Sequence, residues 1–306
     1  MLSKKSILDA NSLSLEDIKL ILSNADSFLE ISRRDVKKVP TLRGKTVINL
    51  FFEPSTRTKT SFEIAAKRLS ADIINFSPLN SSLKKGESII DTIKTILSMK
   101  VDLIVIRHSD SGTVRMVDGF VNIPVINAGD GKHQHPTQAL LDLYTIKKRF
   151  GKFEGLKAAI VGDFLNSRVA RSNMNLFEKM GMDVTVVSPT MFLPEDFSGM
   201  KVKHCIDDVI EDADIIYILR MQFERQDRKF YPSVMEYNRF LGLDMERLKR
   251  MKPGSIVMHP GPVNRGIEIT DEVMDTSGKL AEKIVIEEQV TYGLAIRMAI
   301  LYLILG

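Results

Sequence analysis

The sequence predicts an α/β protein of two similar-sized domains, each a mainly parallel sheet flanked by helices, with the active site in the cleft between them. Three observations carry that expectation. Short β-rich runs alternate with longer stretches of helical periodicity along the 306 residues, the pattern of parallel sheets joined by crossover helices. The rhythm breaks once, at Phe150-Gly151-Lys152, where a helix stops at a glycine and the βα alternation restarts. Arginines recur at or just past the ends of the β-rich runs, and open α/β sheets bind ligands beyond the carboxyl ends of their strands. Domains run to about 100–200 residues, so the length suits two.

In chain order, the apolar and β-branched runs Thr46–Phe52, Asp72–Phe76, Asp102–Arg107 and Pro124–Asn127 read as strands. Asp102–Arg107 is an apolar strand that ends in Arg107. Apolar residues at helical spacing predict helices at Lys59–Leu69, Glu87–Met99 and Thr113–Phe120. His135–Phe150 reads as the helix that bridges the domains. The second set begins with the strand Ala158–Asp163 and the helix Val169–Met180. Strands follow at Asp183–Ser188, Val202–Cys205, Asp214–Leu219 and Ser255–His259, and the long helix Glu287–Leu305 closes the chain. The expected domains are residues 1–135, with the helix 287–306 packing back onto them, and 136–286.

Composition narrows the function classes. The charge is 43 Lys+Arg against 39 Asp+Glu, a net +4, too weak over this length to imply a nucleic-acid partner. At 44% hydrophobic and 27% charged, the chain is ordinary globular material rather than a disordered tail. One cysteine, Cys205, cannot form an internal bridge, which suits a reducing cytoplasm. The N-terminus has no apolar run long enough for a signal peptide. The apolar stretch Tyr292–Gly306 contains Arg297 and falls short of the about 20 residues that a span needs, so no membrane is expected.

Several segments could carry chemistry. Phe52-Glu53-Pro54-Ser55-Thr56-Arg57-Thr58 puts three hydroxyls and an arginine where a strand turns into a helix. A helix N-terminus offers free N–H groups and partial positive charge, suited to a phosphate dianion. A single cap explains one hydroxyl but not the cluster. Arg107 ends its strand, where it is either a ligand group or a surface arginine. In His133-Gln134-His135-Pro136-Thr137-Gln138, Pro136 fits a first helical turn, and His135 and Gln138 share a face at its start. The dipole there favours a neutral His135 that donates one hydrogen bond to a carbonyl oxygen. The His-x-His pair lacks acidic or cysteine partners at ligand spacing, so no metal is expected.

Lys84-Lys85-Gly86 by itself reads as a solvated loop. Gly162-Asp163-Phe164-Leu165-Asn166-Ser167-Arg168 follows a strand but has one glycine where a dinucleotide fingerprint needs three, which disfavours nicotinamide cofactors. Arg220 and Gln222 lie just past another strand, and His259-Pro260-Gly261-Pro262 forms a rigid turn whose carbonyls could face a ligand. Arg57, Arg107, Arg168 and Arg220 together predict a positively lined cleft for substrates rich in negative groups, with chemistry resting on positioning and electrostatics.

The motifs Phe-x-x-Ser-Thr-Arg-Thr at 52–58, His-Pro-Thr-Gln at 135–138 and His-Pro-Gly-Pro at 259–262 together resemble the aspartate/ornithine carbamoyltransferase family, in order and along the whole chain. Arg220-Met221-Gln222 and Lys84-Lys85-Gly86-Glu87 resemble its aspartate branch; the ornithine branch carries a Ser-Met-Gly loop and a cysteine in the late motif, which here has Gly261. The resemblance implies carbamoyl transfer from carbamoyl phosphate to the amine of L-aspartate in pyrimidine biosynthesis, in the cytoplasm, with no cofactor and no covalent intermediate. It implies that Ser55, Thr56, Arg57 and Thr58 bind the phosphate group. Arg107, His135 and Thr58 then hold the carbonyl oxygen, and Gln138 with the carbonyls of Gly261 and Pro262 takes the carbamoyl amino group. Arg168 binds the aspartate α-carboxylate, and Arg220 and Gln222 the β-carboxylate. Ser81 and Lys85 reach the neighbouring subunit's site, which makes a homotrimer the active unit. A larger assembly with dihydroorotase or regulatory chains stays open. The rivals are an ornithine enzyme, a silent scaffold subunit and a nucleotide-binding oxidoreductase.

Overall fold

The computed structural model describes residues 2–76, 88–222 and 233–306. The chain divides into two compact units, residues 1–144 with 291–306, and 145–290. In the first unit, helix α1 (Leu15–Arg33) precedes β1 (Thr46–Phe51), α2 (Thr56–Arg68), β2 (Asp72–Phe76), α3 (Ile89–Ser98), β3 (Leu103–His108), α4 (Thr113–Phe120) and β4 (Val125–Asp130). Helix α5 (Pro136–Phe150) follows. The strands form one sheet in the order β2-β1-β3-β4, every pair parallel. Its core is the apolar run of β1 and β3, with Ile48, Leu50, Ile104 and Ile106 packed against Val114 and Val117 of α4.

The second unit repeats the design with β5 (Lys157–Val161), α6 (Arg168–Lys179), β6 (Asp183–Val187), β7 (Lys201–Lys203) and β8 (Ile215–Ile218). Then come α7 (Val234–Leu241), α8 (Met245–Arg250), β9 (Ile256–Met258) and the single turn α9 (Asp271–Met274); the last helix, α10 (Ile286–Leu305), starts in this unit, and its residues from 291 on belong to the first. The sheet order is β7-β6-β5-β8-β9, again all parallel. Val161, Ile216, Ile218 and Val257 from its strands bury against Tyr237 of α7 and Leu248 of α8.

Two parallel-sheet units are the architecture that the alternation predicts. Helix α1 is absent from the expectations above, although its signals are present. Ser14 and Asp17 form a reciprocal capping box, and Ile18, Ile21, Leu22, Ala25, Phe28 and Leu29 are buried at helical spacing. Helix α2 starts at Thr56, three residues before the expected Lys59, because its polar first turn carries no apolar periodicity. Helix α10 is long and apolar enough to cross a membrane by length and composition, yet half of it is buried in the protein. Its Arg297 donates to Ser61 at 2.8 Å and sits over the Phe62 ring, a core placement that burial accompanies with a pKa lowered to about 10. Ser81, Lys84 and Lys85 lie outside the described residues.

Candidate functional site

The first unit gathers its candidate residues at one edge of its sheet. Strands β1, β3 and β4 are neighbours and run in the same direction, so the segments after each emerge side by side. Phe51 pairs with Arg107 across β1 and β3, and the Phe52 N–H bonds the Arg107 carbonyl at 2.9 Å. That register puts Arg107 beside the 52–58 motif, and its Nε pairs with Glu53 at 3.1 Å. A second guanidinium nitrogen donates to the Ala128 carbonyl at 3.1 Å, which anchors Arg107 to β4 as well. His108, next along the strand, meets the Phe52 ring at 4.8 Å, and burial holds its pKa below the usual imidazole value.

The start of α2 decides between a cap and an anion site. Ser55 occupies the N-cap, but its hydroxyl makes no capping bond. The first helical hydrogen bond runs from the Lys59 N–H to the Ser55 carbonyl at 3.1 Å, so the earlier amides have no intrahelical acceptor. No acidic residue sits in this first turn to meet the dipole; Thr56 and Arg57 are exposed there, and Thr58 is buried. Ser55, Thr56, Lys59 and Thr60 line a pocket of about 430 Å³ with Glu53 and Pro54. A helix start with no acid in its first turn, with hydroxyls and a lysine beside it, suits an anion, although Glu53 and Glu63 also line the pocket.

His135 is 4% exposed and directly precedes Pro136, the first residue of α5. Its carbonyl closes the first turn with the Gln138 N–H at 3.0 Å, and its Nδ1 lies 3.5 Å from the Thr137 hydroxyl. The buried Gln138 donates its amide nitrogen to Asp142 at 3.1 Å, which leaves the amide oxygen as an acceptor. The sequence reading missed Asp130, which builds this corner. Its buried carboxylate accepts from Asn127 Nδ2 at 2.8 Å and from the Gln134 and Gly112 N–H groups, and lies 3.0 Å from His133 Nδ1. An Asn and an Asp ending an otherwise apolar strand were the signal.

The second unit uses the ends of β5, β8 and β9, also neighbours. Gly162 follows β5 with φ +123°, and a Cβ there would stand 2.6 Å from the Tyr237 hydroxyl. Asp163 holds the turn by accepting from Asn166 main chain and side chain at 3.1 and 2.9 Å. Ser167 caps α6 through the Ala170 N–H at 3.2 Å, which places Arg168 in the first turn with 2% exposure. Past β8, Arg220 is half-buried and Gln222 is buried. Past β9, the His259 Nδ1 accepts the Gly261 N–H at 2.8 Å, and the Gly261–Pro262 peptide is cis. Each unit therefore brings its own sequence-predicted residues together at one sheet edge. Among the described residues, no cluster of three His, Cys, Asp or Glu could hold a metal ion.

Residues 5–148 match the family model described as aspartate/ornithine carbamoyltransferase, carbamoyl-P binding domain. Residues 154–304 match its companion, the Asp/Orn binding domain. The chain belongs to the aspartate/ornithine carbamoyltransferase family. It is an enzyme of the transferase class, and its relatives cover it end to end. The aspartate carbamoyltransferase catalytic subunit of Syntrophus aciditrophicus is 53% identical over 305 residues, 99% of this chain and 98% of that one. The protein of the same name from Halothermothrix orenii is 50% identical over 307 residues, 100% of this chain and 96% of that one. Among solved structures, aspartate transcarbamoylase from Trypanosoma cruzi in complex with carbamoyl phosphate superposes with a TM-score of 0.90 at 31% identity, covering 100% of this chain and 97% of that one. The ligand-free form of the same enzyme gives 0.83 at 29%, with the same coverage.

Proposed function

We propose that this chain transfers the carbamoyl group of carbamoyl phosphate to the amine of L-aspartate, giving N-carbamoyl-L-aspartate and phosphate, an early step of de novo pyrimidine biosynthesis in the cytoplasm. The observation that carries the phosphate-binding half is the start of α2, whose first turn has no acid and whose Ser55 is left out of the cap. The choice of aspartate over ornithine is supported by the full-length relatives named for aspartate.

In this reading Ser55, Thr56, Arg57 and Thr58 hold the phosphate, and Arg107, His135 and Thr58 hold the carbonyl oxygen. The Gln138 oxygen and the carbonyls of Gly261 and Pro262 accept from the carbamoyl amino group. Arg168 takes the α-carboxylate of aspartate, and Arg220 with Gln222 the β-carboxylate. The amine nitrogen bonds to the carbamoyl carbon and a tetrahedral oxyanion forms. The bond from that carbon to the phosphate oxygen then breaks, and the departing phosphate accepts the amine proton. Donors fixed before the reaction stabilise the oxyanion without reorganising, and binding both substrates together supplies proximity. Ser81 and Lys85 complete the site of a neighbouring subunit in a homotrimer.

The test is a colorimetric assay for carbamoyl-aspartate with the purified chain, run in parallel with ornithine. Turnover with aspartate alone is expected; turnover with ornithine alone, or with neither amine, overturns the reading. A His135→Ala variant with an unchanged pH profile supports phosphate as the proton acceptor, whereas loss of one titrating limb makes His135 the base.

A further inference from the structure

Glu268 is fully buried, yet none of the substrate contacts above uses it. Its Oε1 accepts the Met221 N–H at 2.7 Å and the Asn264 side-chain amide at 2.6 Å. Its Oε2 accepts the Asn264 main-chain N–H at 2.6 Å and faces His259 Nε2 at 3.4 Å. The Asn264 amide in turn donates to the Met221 carbonyl at 3.2 Å, so both main-chain polar groups of Met221 are held. His259 presents a proton toward Glu268 because its Nδ1 is committed as the acceptor of the Gly261 N–H.

These partners belong to two separate segments. Met221 lies between Arg220 and Gln222, past the end of β8, while His259 and Asn264 flank the Gly261-Pro262 turn past the end of β9. One carboxylate therefore ties together the segment assigned to the aspartate β-carboxylate and the turn assigned to the carbamoyl amino group. A buried acceptor surrounded by N–H donors must carry no proton donor of its own, which a carboxylate satisfies and an amide does not.

We infer that Glu268 is a positioning residue for the transfer: through Met221, Asn264 and His259 it fixes the Arg220–Gln222 segment against the Gly261–Pro262 turn, and so sets aspartate affinity and alignment without touching substrate. The inference rests on the aspartate reading above. Glu268→Gln keeps the volume but puts an NH₂ group against at least one N–H donor, whichever way the amide is turned. Asn264→Ala removes the side-chain strut and keeps the carboxylate buried, and it serves if Glu268→Gln does not fold.

The experiment measures the KM for aspartate at saturating carbamoyl phosphate, and carbamoyl phosphate binding by calorimetry without aspartate, in wild type and both variants. The expected result is an aspartate KM raised at least tenfold with kcat lowered, and carbamoyl phosphate binding weakened by much less, because its phosphate is assigned to the start of α2. A lowered melting temperature with an unchanged aspartate KM makes Glu268 purely structural and overturns the inference. So does an equal loss of binding for both substrates. Failure of the wild type to use aspartate sinks the underlying reading, and that outcome is distinct because it appears before any variant is made.

Discussion

The two sheet edges meet the same demand, holding anionic groups, by opposite means. In the first unit the start of α2 offers a helix terminus: Ser55 makes no cap bond, no acid lies in the first turn, and Thr56 and Arg57 are exposed. In the second unit the polar groups are spent on one another: Ser167 caps α6, Asp163 binds Asn166, and Glu268 is fully buried under its N–H donors. A phosphate dianion can be gripped by a helix start and hydroxyls, which need little scaffolding. Two carboxylates a fixed distance apart need side chains held in place, and fixing them takes buried acceptors. Substitutions at the first edge should cost ligand and little stability, whereas those at the second should cost both.

Arg107→Ala should show the largest effect. On the proposed reading it removes a donor to the developing oxyanion, about 2–4 kcal/mol of transition-state stabilisation, on the order of a hundredfold or more in kcat. Circular dichroism should report an unchanged fold. A loss of less than threefold would remove Arg107 from the oxyanion role and weaken the contrast at its first edge.

Gly162→Ala attacks the second edge through the backbone. The positive φ and the 2.6 Å approach to the Tyr237 hydroxyl leave no room for a Cβ. Strain of this kind costs about 1–3 kcal/mol, and the displaced 163–168 turn should raise the aspartate KM as well. Denaturant unfolding and aspartate kinetics on the same sample test both halves. Unchanged stability would mean that the turn yields, contrary to the rigidity argued for it.

The same contrast explains what could be read from residues alone. The first edge was legible because its groups are displayed in one short run, 52–58, at a strand-to-helix junction. The central strands were legible because they are parallel and buried, so Leu103–Ile106 of β3 and the whole of β8 are unbroken apolar runs. Glu268 was not legible, because a buried acid is identified by partners distant in sequence, here Met221, whereas Asp130 left only the polar end of its strand as a signal. Helix α1 was overlooked although its capping box and apolar spacing were readable. Helices α7 and α8, capped by Ser233 and Asp244, are short, and too few turns repeat for periodicity to stand out.

Two serines sharpen the comparison at smaller magnitude. Ser167→Ala removes a cap hydrogen bond and should cost about 1 kcal/mol of stability. Ser55→Ala removes no cap and should change stability by less than about 0.5 kcal/mol. Its loss should appear instead in carbamoyl phosphate affinity, about tenfold weaker, or about 1.4 kcal/mol. Unfolding curves and calorimetry on the pair give a crossed result if the two edges differ as argued. Equal stability losses would make Ser55 an ordinary cap.

A comparable effect on stability, with none on kinetics, belongs to a carboxylate outside both edges, and it separates stability from function within the second unit. Asp207 pairs with Arg247 at 2.6 Å and with Arg250 at 2.6 Å, and the Arg247 hydrogen bond leads in holding its pKa at about 2 against an ordinary 3.8. Arg247 also donates to the carbonyls of Asn238, Arg239 and Gly242, so the pair ties the end of α7 to α8. A carboxyl whose folded pKa is depressed contributes stability that is present above its unfolded value and lost as pH falls through its folded one. With its side chain 35% exposed, solvent screening reduces that contribution to about 1 kcal/mol. Asp207→Asn should therefore unfold earlier in urea at pH 7, and its gap from wild type should close as pH drops from 3.8 towards about 2. Aspartate kinetics should not change, because among the described residues the hydrogen bonds of the arginine pair go to Asp207, Glu211 and the end of α7, not to residues 162–168, 220–222 or 259–262. A gap independent of pH would assign Asp207 to packing, whereas a raised aspartate KM would extend the rigid edge beyond the Glu268 network.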